Sequence, residues 1–431
     1  MTLSWVSIAR LGLVQLCLGA IVVLTTSTLN RIMVVELALP AILPGLLVGL
    51  HYGIQITRPN WGFRSDTGGN RTKFIVLGMA VLGLGGFLAA TGMVLMPANF
   101  GFGLALSILA YSLIGIGVGA SGTSLLALLA TKTVPHRRAA AATITWLMMI
   151  FGIAVTATLV GKFLDPYSPA LLLKIVAVLC FGAFGLTIIA IAGIEARHAS
   201  QMVLKATPIG FRQGLAEVWQ ERRARSFTIF VFLSMTAYFM QELILEPYAG
   251  LVFALTPGDT TQLSGAQNGG VFAGMLLVGI AATGLRIGSL RSWVIAGCAG
   301  SAAALIVLML AGQVPSGVQI LWPATVFLGV FNGMFAVAAI GAMMALAGEG
   351  RETREGTRMG LWGASQAMAA GFGGLIGTAA VDILRHFIPV ATAYGAVFTV
   401  EAGLFVIAAI MAAQVITGVQ STPVANMVPG E

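Results

Sequence analysis

Twelve runs of about 20 or more mostly apolar residues, separated by short polar punctuation, dominate this 431-residue sequence and leave few folds open to it. They cover roughly 11 to 30, 39 to 57, 74 to 96, 102 to 130, 140 to 162, 170 to 193, 227 to 250, 264 to 285, 292 to 312, 318 to 347, 359 to 382 and 392 to 416. A helix needs about 20 such residues to cross the hydrocarbon core of a bilayer, so each run reads as one crossing. A membrane β-barrel is excluded, because its strands would alternate over about ten residues instead of forming long unbroken stretches. Only 9% of the residues are charged, against about a quarter in soluble domains, so a water-exposed surface cannot be built. The expected fold class is an all-α membrane protein with twelve transmembrane helices.

The basic residues orient it. With both termini cytoplasmic, all of the 23 Lys and Arg residues except Arg31, Lys162, Lys174 and Arg385 fall on the cytoplasmic side, an N-in, C-in arrangement. The net charge of +8 therefore serves topology, and no nucleic-acid partner is expected. Cys17, Cys180 and Cys298 lie inside apolar runs, without disulfide or metal-ligand spacing. The first run is full-length and lacks a small-residue cleavage site, so no cleavable signal is expected. Glycine pairs such as Gly115 with Gly119, Gly329 with Gly333 and Gly373 with Gly377 read as helix-packing devices.

The longest polar segment splits the chain into two sets of six runs. The expected organisation is a first six-helix bundle over 1–193, a cytoplasmic amphipathic linker over 194–226, a second bundle over 227–417 and a disordered tail over 418–431. Phe211, Leu215, Val218 and Trp219 recur at helical spacing in the linker, among basic residues. An ordinary solvated connector is the plainer alternative.

Between runs two and three the chain reads Arg58-Pro-Asn-Trp-Gly62-Phe-Arg64-Ser-Asp66-Thr-Gly-Gly69-Asn-Arg71-Thr-Lys73. Its G-x-x-x-D-x-x-G-x-R-x-K spacing resembles the loop signature of the major facilitator superfamily. Gly62 and Gly69 permit a tight turn, and Asp66 can sit against a helix N-terminus or an arginine. The resemblance implies two six-helix bundles around a midplane cavity. It also implies a cytoplasmic latch built from Gly62, Asp66, Gly69, Arg71 and Arg138. The second-half counterpart, Gly284-Leu-Arg286-Ile-Gly288-Ser-Leu-Arg291, has no acid. A solvated basic turn that only enforces topology is the plainer reading.

After run one stands Leu29-Asn30-Arg31-Ile32-Met33-Val34-Val35-Glu36-Leu37, and at the matching place after run seven Met240-Gln241-Glu242-Leu243-Ile244-Leu245-Glu246-Pro247-Tyr248. These stretches, with Gly122-Thr123-Ser124-Leu125 in run four and Pro135-His136-Arg137-Arg138 leading to Trp146, resemble the PucC/LhaA family of phototrophic bacteria. Its members are described as chlorophyll transporters or assembly factors for light-harvesting complexes. The resemblance, which extends from about residue 5 to residue 415, implies bacteriochlorophyll or a related pigment as cargo and the bacterial inner, intracytoplasmic membrane as location. It further implies antenna or reaction-centre polypeptides, and chlorophyll synthase or other pigment-synthesis enzymes, as partners beside the membrane lipids.

Taken without that resemblance, the residues suggest three things. Arg31 and Glu36 are five apart and would not face each other on a regular α-helix. Glu242 and Glu246 are four apart and share a face, where two carboxylates repel. An outer gate is therefore expected in which Arg31 pairs across the bundle with Glu242 or Glu246; charges that merely reach interfacial water are the alternative. His51, inside run two with Gln55 one turn later, can ligate the magnesium of a chlorophyll or hydrogen-bond a neighbouring helix. Asn332, Gln366 and Glu401 are further candidates to face the cavity, with Gln267 and Asn268 nearer its outer side. Runs three and six carry almost no polar side chains, and run four only Ser and Thr besides Tyr111. A strongly polar cargo is thus disfavoured and an apolar ligand favoured.

No nucleophile elbow, P-loop or His/Cys/Asp cluster is present in the sequence. The expectation is no enzymatic role and no free metal. The leading functional reading is a pigment-binding assembly factor. The alternatives are a secondary transporter of a hydrophobic small molecule, coupled through Glu36, Glu242 or Glu401, and a non-transporting scaffold.

Overall fold

The computed structural model describes residues 3–58, 61, 70–133, 138–194, 219–285, 287–348 and 355–416. Among them there is no strand. Twelve helices follow in order: α1 (Trp5–Glu36), α2 (Ile42–Thr57), α3 (Arg71–Leu95), α4 (Phe100–Lys132), α5 (Arg138–Phe163) and α6 (Pro169–Ile191) form the first six. The second six are α7 (Arg222–Phe253), α8 (Pro257–Val278), α9 (Leu290–Ala311), α10 (Gly317–Gly348), α11 (Glu355–Leu384) and α12 (Val390–Val415). All but the shorter α2 are long and apolar enough to cross a membrane, and the protein is a multi-pass membrane protein. Most of the proposed linker (195–218), the tail from 417 onward, and Gly62, Asp66 and Gly69 lie outside the described residues.

Local sequence sets the helix starts. Ser4, Asn70, Asn99, Ser168, Thr256 and Ser289 each accept the backbone N–H three residues on, satisfying one of the donors a helix N-terminus leaves open. Pro169 and Pro257 take the first helical position, where a missing N–H costs nothing. α1 exceeds the expected run at both ends. Arg10, Arg31 and Glu36, which truncate the apolar pattern, all lie within the helix.

The two sets of six repeat one packing scheme. In the first, α1 packs on α5 and α6, α2 on α4, and α3 on α4 and α6. In the second, α7 packs on α11 and α12, α8 on α10, and α9 on α10 and α12. Each set has its own buried hydrophobic core, and Leu243 is the one second-half residue in the core of the first. The sets meet along two seams, α2 against α11 and α5 against α8, which the repeat interchanges. This is the major facilitator arrangement.

At the end away from the termini the halves are fastened. Asp382 on α11 accepts the Ile42 N–H of α2 at 2.6 Å, with Arg385 3.0 Å away. Asp165, just past α5, accepts from the Thr256 hydroxyl at 2.7 Å and the Gly258 N–H of α8 at 3.2 Å. Thr261 and Thr28 hydroxyls meet at 3.3 Å.

Glycines report how each seam parts. A Cβ at Gly45 would lie 2.3 Å from Thr378 Oγ1; one turn on, at Gly49, the nearest atom would be Gly371 O at 3.9 Å; at Gly53 nothing lies within 4 Å. Along α8, Gly258 would meet Gly161 O at 2.6 Å, Gly265 would meet Thr158 Oγ1 at 2.4 Å, and Gly269 nothing within 4 Å. Both seams thus close at the outer end and diverge toward the side of the termini, which the basic residues mark as cytoplasmic.

Candidate functional site

A cavity of about 230 Å³ lies between the halves. Leu18, Val22, Trp146, Ile150, Met235 and Val271 give it apolar walls. Its polar groups come from α1 (Thr26, Ser27), α2 (His51, Gln55), α7 (Gln241, Glu242, Glu246), α8 (Ser264, Gln267, Asn268) and α11 (Gln366), with Arg58 toward the mouth. From α4 only Val118 contributes, and nothing comes from α3 or α6.

The winding of α1 shapes the apex. Leu24–Thr28 and Ile32–Glu36 are π-helical, an i→i+5 winding that is rare and costly in isolation. The stretch Leu-Thr-Thr-Ser-Thr suits it. Thr25 and Thr26 donate back to Val22 O at 2.8 and 3.3 Å, the kind of side-chain bond that loosens a regular helix. Tyr111 on α4 donates to Thr25 O at 2.9 Å.

The two motif stretches from corresponding places in the halves are packed against each other here. Asn30 donates to Leu243 O at 2.7 Å, Ser27 donates to Glu246 Oε1, and Gly250 leaves room for the Arg31 guanidinium, whose nitrogens would lie 3.2 Å from a Cβ there. Arg31, 2% exposed, is ion-paired with Glu36 and donates to Leu255 O at 2.7 Å. Its direct partner is therefore Glu36, not Glu242 or Glu246. The expectation assumed α-helical pitch, whereas π winding stacks residue i+5 over residue i. Glu242 and Glu246 instead face the cavity. Glu246 Oε2 and Gln241 Oε1, both buried there, have no hydrogen-bond partner among the described residues.

His51 and Gln55 stand one turn apart on α2, with a His51 Nε2 to Gln55 Nε2 distance of 2.9 Å. Gln55 Oε1 accepts from Arg58. Since the amide donates to Nε2, the remaining ring proton belongs on Nδ1, a buried atom without a partner among the described residues. A magnesium ligand from this imidazole would require Gln55 to move aside.

Of the other cavity candidates, Gln366 lines the cavity, but Asn332 and Glu401 do not. Asn332 on α10 accepts from Ser301 on α9 at 2.8 Å within the second bundle. Glu401 sits on α12, which packs on α7 and α9 away from the cavity, and is fully buried, with neither carboxyl oxygen bonded among the described residues. Both helices are apolar all round, so periodicity cannot show which face is inward. Of the proposed latch, Arg71 donates to Ala127 O on α4 at 3.3 Å, within the first half. Arg138 opens α5. The GxxxG pairs do pack helices: Gly329 and Gly333 abut α8, Gly373 and Gly377 abut α7, and Gly115 abuts the His51 carbonyl. The sequence reading missed Thr26, Ser27, Gln241, Ser264 and Arg58 as lining residues. Polar side chains inside the first, seventh and eighth runs were the available signal.

Twelve helices in two bundles around a central cavity give the chain a transporter-like membrane fold. Solved structures agree on the fold. A peptide transporter, POT, in complex with sulfate superimposes with a TM-score of 0.69 at 14% identity, covering 95% of this chain and 94% of that one. A bacterial homologue of the human lysosomal transporter Spinster does so with a TM-score of 0.67 at 14% identity, covering 95% and 96%. The sequence model of the PUCC protein family matches residues 28–419, and the chain belongs to that family.

A Rhodobacter capsulatus protein named "Bacteriochlorophyll synthase 44.5 kDa chain" is 65% identical over 431 residues, covering 100% of both. "Protein PucC" of the same organism is 27% identical, covering 93% of this chain and 90% of the relative. The expectation of no enzymatic role is corrected here, since an end-to-end relative carries the name of a synthase chain. The inference failed because missing nucleophile and phosphate motifs say nothing about a chain's place within a larger enzyme.

Proposed function

We propose that the chain holds a bacteriochlorophyll-type pigment, or a precursor, in the cavity between its halves as part of bacteriochlorophyll synthesis in the intracytoplasmic membrane. From there it passes the pigment toward the antenna polypeptides of light-harvesting complexes. The observation that carries this reading is the cavity itself: walled largely by aliphatic and aromatic side chains, with a limited set of polar groups from α1, α2, α7, α8 and α11 and Arg58. A largely apolar tetrapyrrole macrocycle with a few polar substituents suits such a site, where shape supplies affinity and a few anchors supply orientation. The name of the 65% identical relative supports the pigment class; the fold hosts many functions and supports none by itself.

The test is the absorption spectrum of protein purified from a pigment-making host. A long-wavelength band at about one pigment per chain supports the reading. Colourless protein that drives uptake of a small molecule into vesicles replaces it with a coupled secondary transporter, a second reading that draws on Glu242 and Glu246 in the cavity wall. Colourless protein that copurifies with antenna polypeptides replaces it with a scaffold.

A further inference from the structure

The two seams are equivalent by the repeat, yet they end differently on the cytoplasmic side. Between α5 and α8 the divergence is filled. Ile150, Val271 and Met275 form a small buried cluster with Trp146, Met149 and Phe272 packed on it, and Phe151 meets Phe272 at 5.8 Å between ring centroids. Between α2 and α11 it is left as a groove of about 340 Å³ on the lipid side. Gly49, Gly53, Ile56, Phe232, Met368 and Phe372 line it, so it offers hydrocarbon and bare backbone, with no charged group. Gly45, Gly49 and Gly53 share one face of α2 and span about 12 Å at 1.5 Å per residue. The groove therefore widens over the half of the bilayer nearer the cytoplasm.

One residue belongs to both spaces. Tyr52 lines the groove and the central cavity. Its ring meets Phe239 on α7 edge-on at 5.8 Å and His51 at 4.8 Å, so a single aromatic side chain partitions the lipid-facing groove from the polar interior. A side chain can change rotamer on a fast timescale, which a packed helix seam cannot.

We propose that the α2–α11 groove is a lateral portal through which the hydrocarbon tail of an amphipathic ligand enters from the cytoplasmic leaflet, with Tyr52 as the movable partition and the head seated in the central cavity. This rests on the proposed function for the identity of the head. The tail is assigned from the groove: at that depth the surrounding solvent is hydrocarbon, and the groove is continuous with the cavity through one side chain. The α5–α8 seam, being packed, is not a second portal.

The experiment uses full-length protein in liposomes, with bacteriochlorophyll (isoprenoid-esterified) and its tail-free acid as paired probes and a diazirine-bearing fatty acid as a tail-only probe. Gly53→Trp plugs the groove at a position where a Cβ meets nothing within 4 Å. Gly182→Trp, on α6 with equally open surroundings, controls for bulk on a lipid face. The portal predicts at least a tenfold loss of esterified-pigment loading in Gly53→Trp, less than a twofold change for the tail-free acid, no loss in Gly182→Trp, and diazirine labelling of 49–56 and 367–372 that Gly53→Trp abolishes. Wild-type protein that loads both pigments, with Gly53→Trp altering neither or both alike, overturns the portal and leaves the functional reading standing. Wild-type protein that retains neither pigment, yet is labelled at the seam in a Gly53-dependent way, overturns the functional reading and leaves the portal standing.

Discussion

Asp165 and Asp382 are counterparts: each accepts a backbone N–H from the first turn of the helix facing it across the interface, Gly258 on α8 for one and Ile42 on α2 for the other. The repeat that interchanges the two seams interchanges these two contacts. A carboxylate at a helix N-terminus meets both unsatisfied donors and the positive end of the macrodipole, so the outer closure is held by the same physical device twice.

Removing either carboxylate should loosen that end. Asp165→Ala and Asp382→Ala are each expected to cost about 1 kcal/mol, by analogy with lost helix caps. The double variant then shifts the balance between closed and separated outer ends roughly thirtyfold, at 1.4 kcal/mol per factor of ten. Asn at either position keeps an acceptor and should lose less. Spin labels on the outer loops at Asn99 and Ser316 read the distance distribution; an unchanged distribution in the double Ala variant would sink the idea.

Arg31 and Glu36 predict an asymmetry. Arg31 is buried at 2% exposure and Glu36 is at 36%, so deleting the acid strands a charge while deleting the base lets the acid turn to water. Glu36→Gln should cost about 3 kcal/mol, the low end for breaking a buried pair, and Arg31→Met distinctly less. Thermal unfolding in detergent compares them, and equal losses would count against a desolvated guanidinium.

The glycine gradient along α2 makes a local contrast. Gly45→Val would drive a methyl group into Thr378 and is expected to cost about 1–3 kcal/mol by overpacking. The same change at Gly53 meets no atom within 4 Å and should leave stability within about 0.5 kcal/mol, as for surface sites. Melting temperatures of the two variants decide it.

If His51 ligates pigment, Gln55 competes for its Nε2. Gln55→Leu should then raise pigment retention or shift the long-wavelength band, whereas His51→Ala should lower retention about tenfold. Loss in both variants would instead mean that the hydrogen-bonded pair itself positions the ligand.

Much of the fold was legible because bilayer thickness dictates run length, and the halves showed themselves through the polar break after run six. The site was less legible, for identifiable reasons. The inference of a greasy interior was taken from runs three, four and six, which became α3, α4 and α6 and supply only Val118 to the cavity. Glu242 was assigned to the outer gate because its distance from the helix end was read without the cavity's depth. Arg31 and Glu36 were separated by assuming α-helical pitch through residues that wind otherwise. Asp165 lies between apolar runs, and Asp382 at the end of one, where hydropathy says nothing about partners.

Leu243 is the one second-half side chain in the first core, and Ile150, Val271 and Met275 form a small cluster across the α5–α8 seam. Each half thus carries its own core, and two polypeptides divided between the sixth and seventh helices are expected to reassociate in the bilayer through helix packing. In that sense the molecule is organised like a dimer whose subunits happen to be translated together.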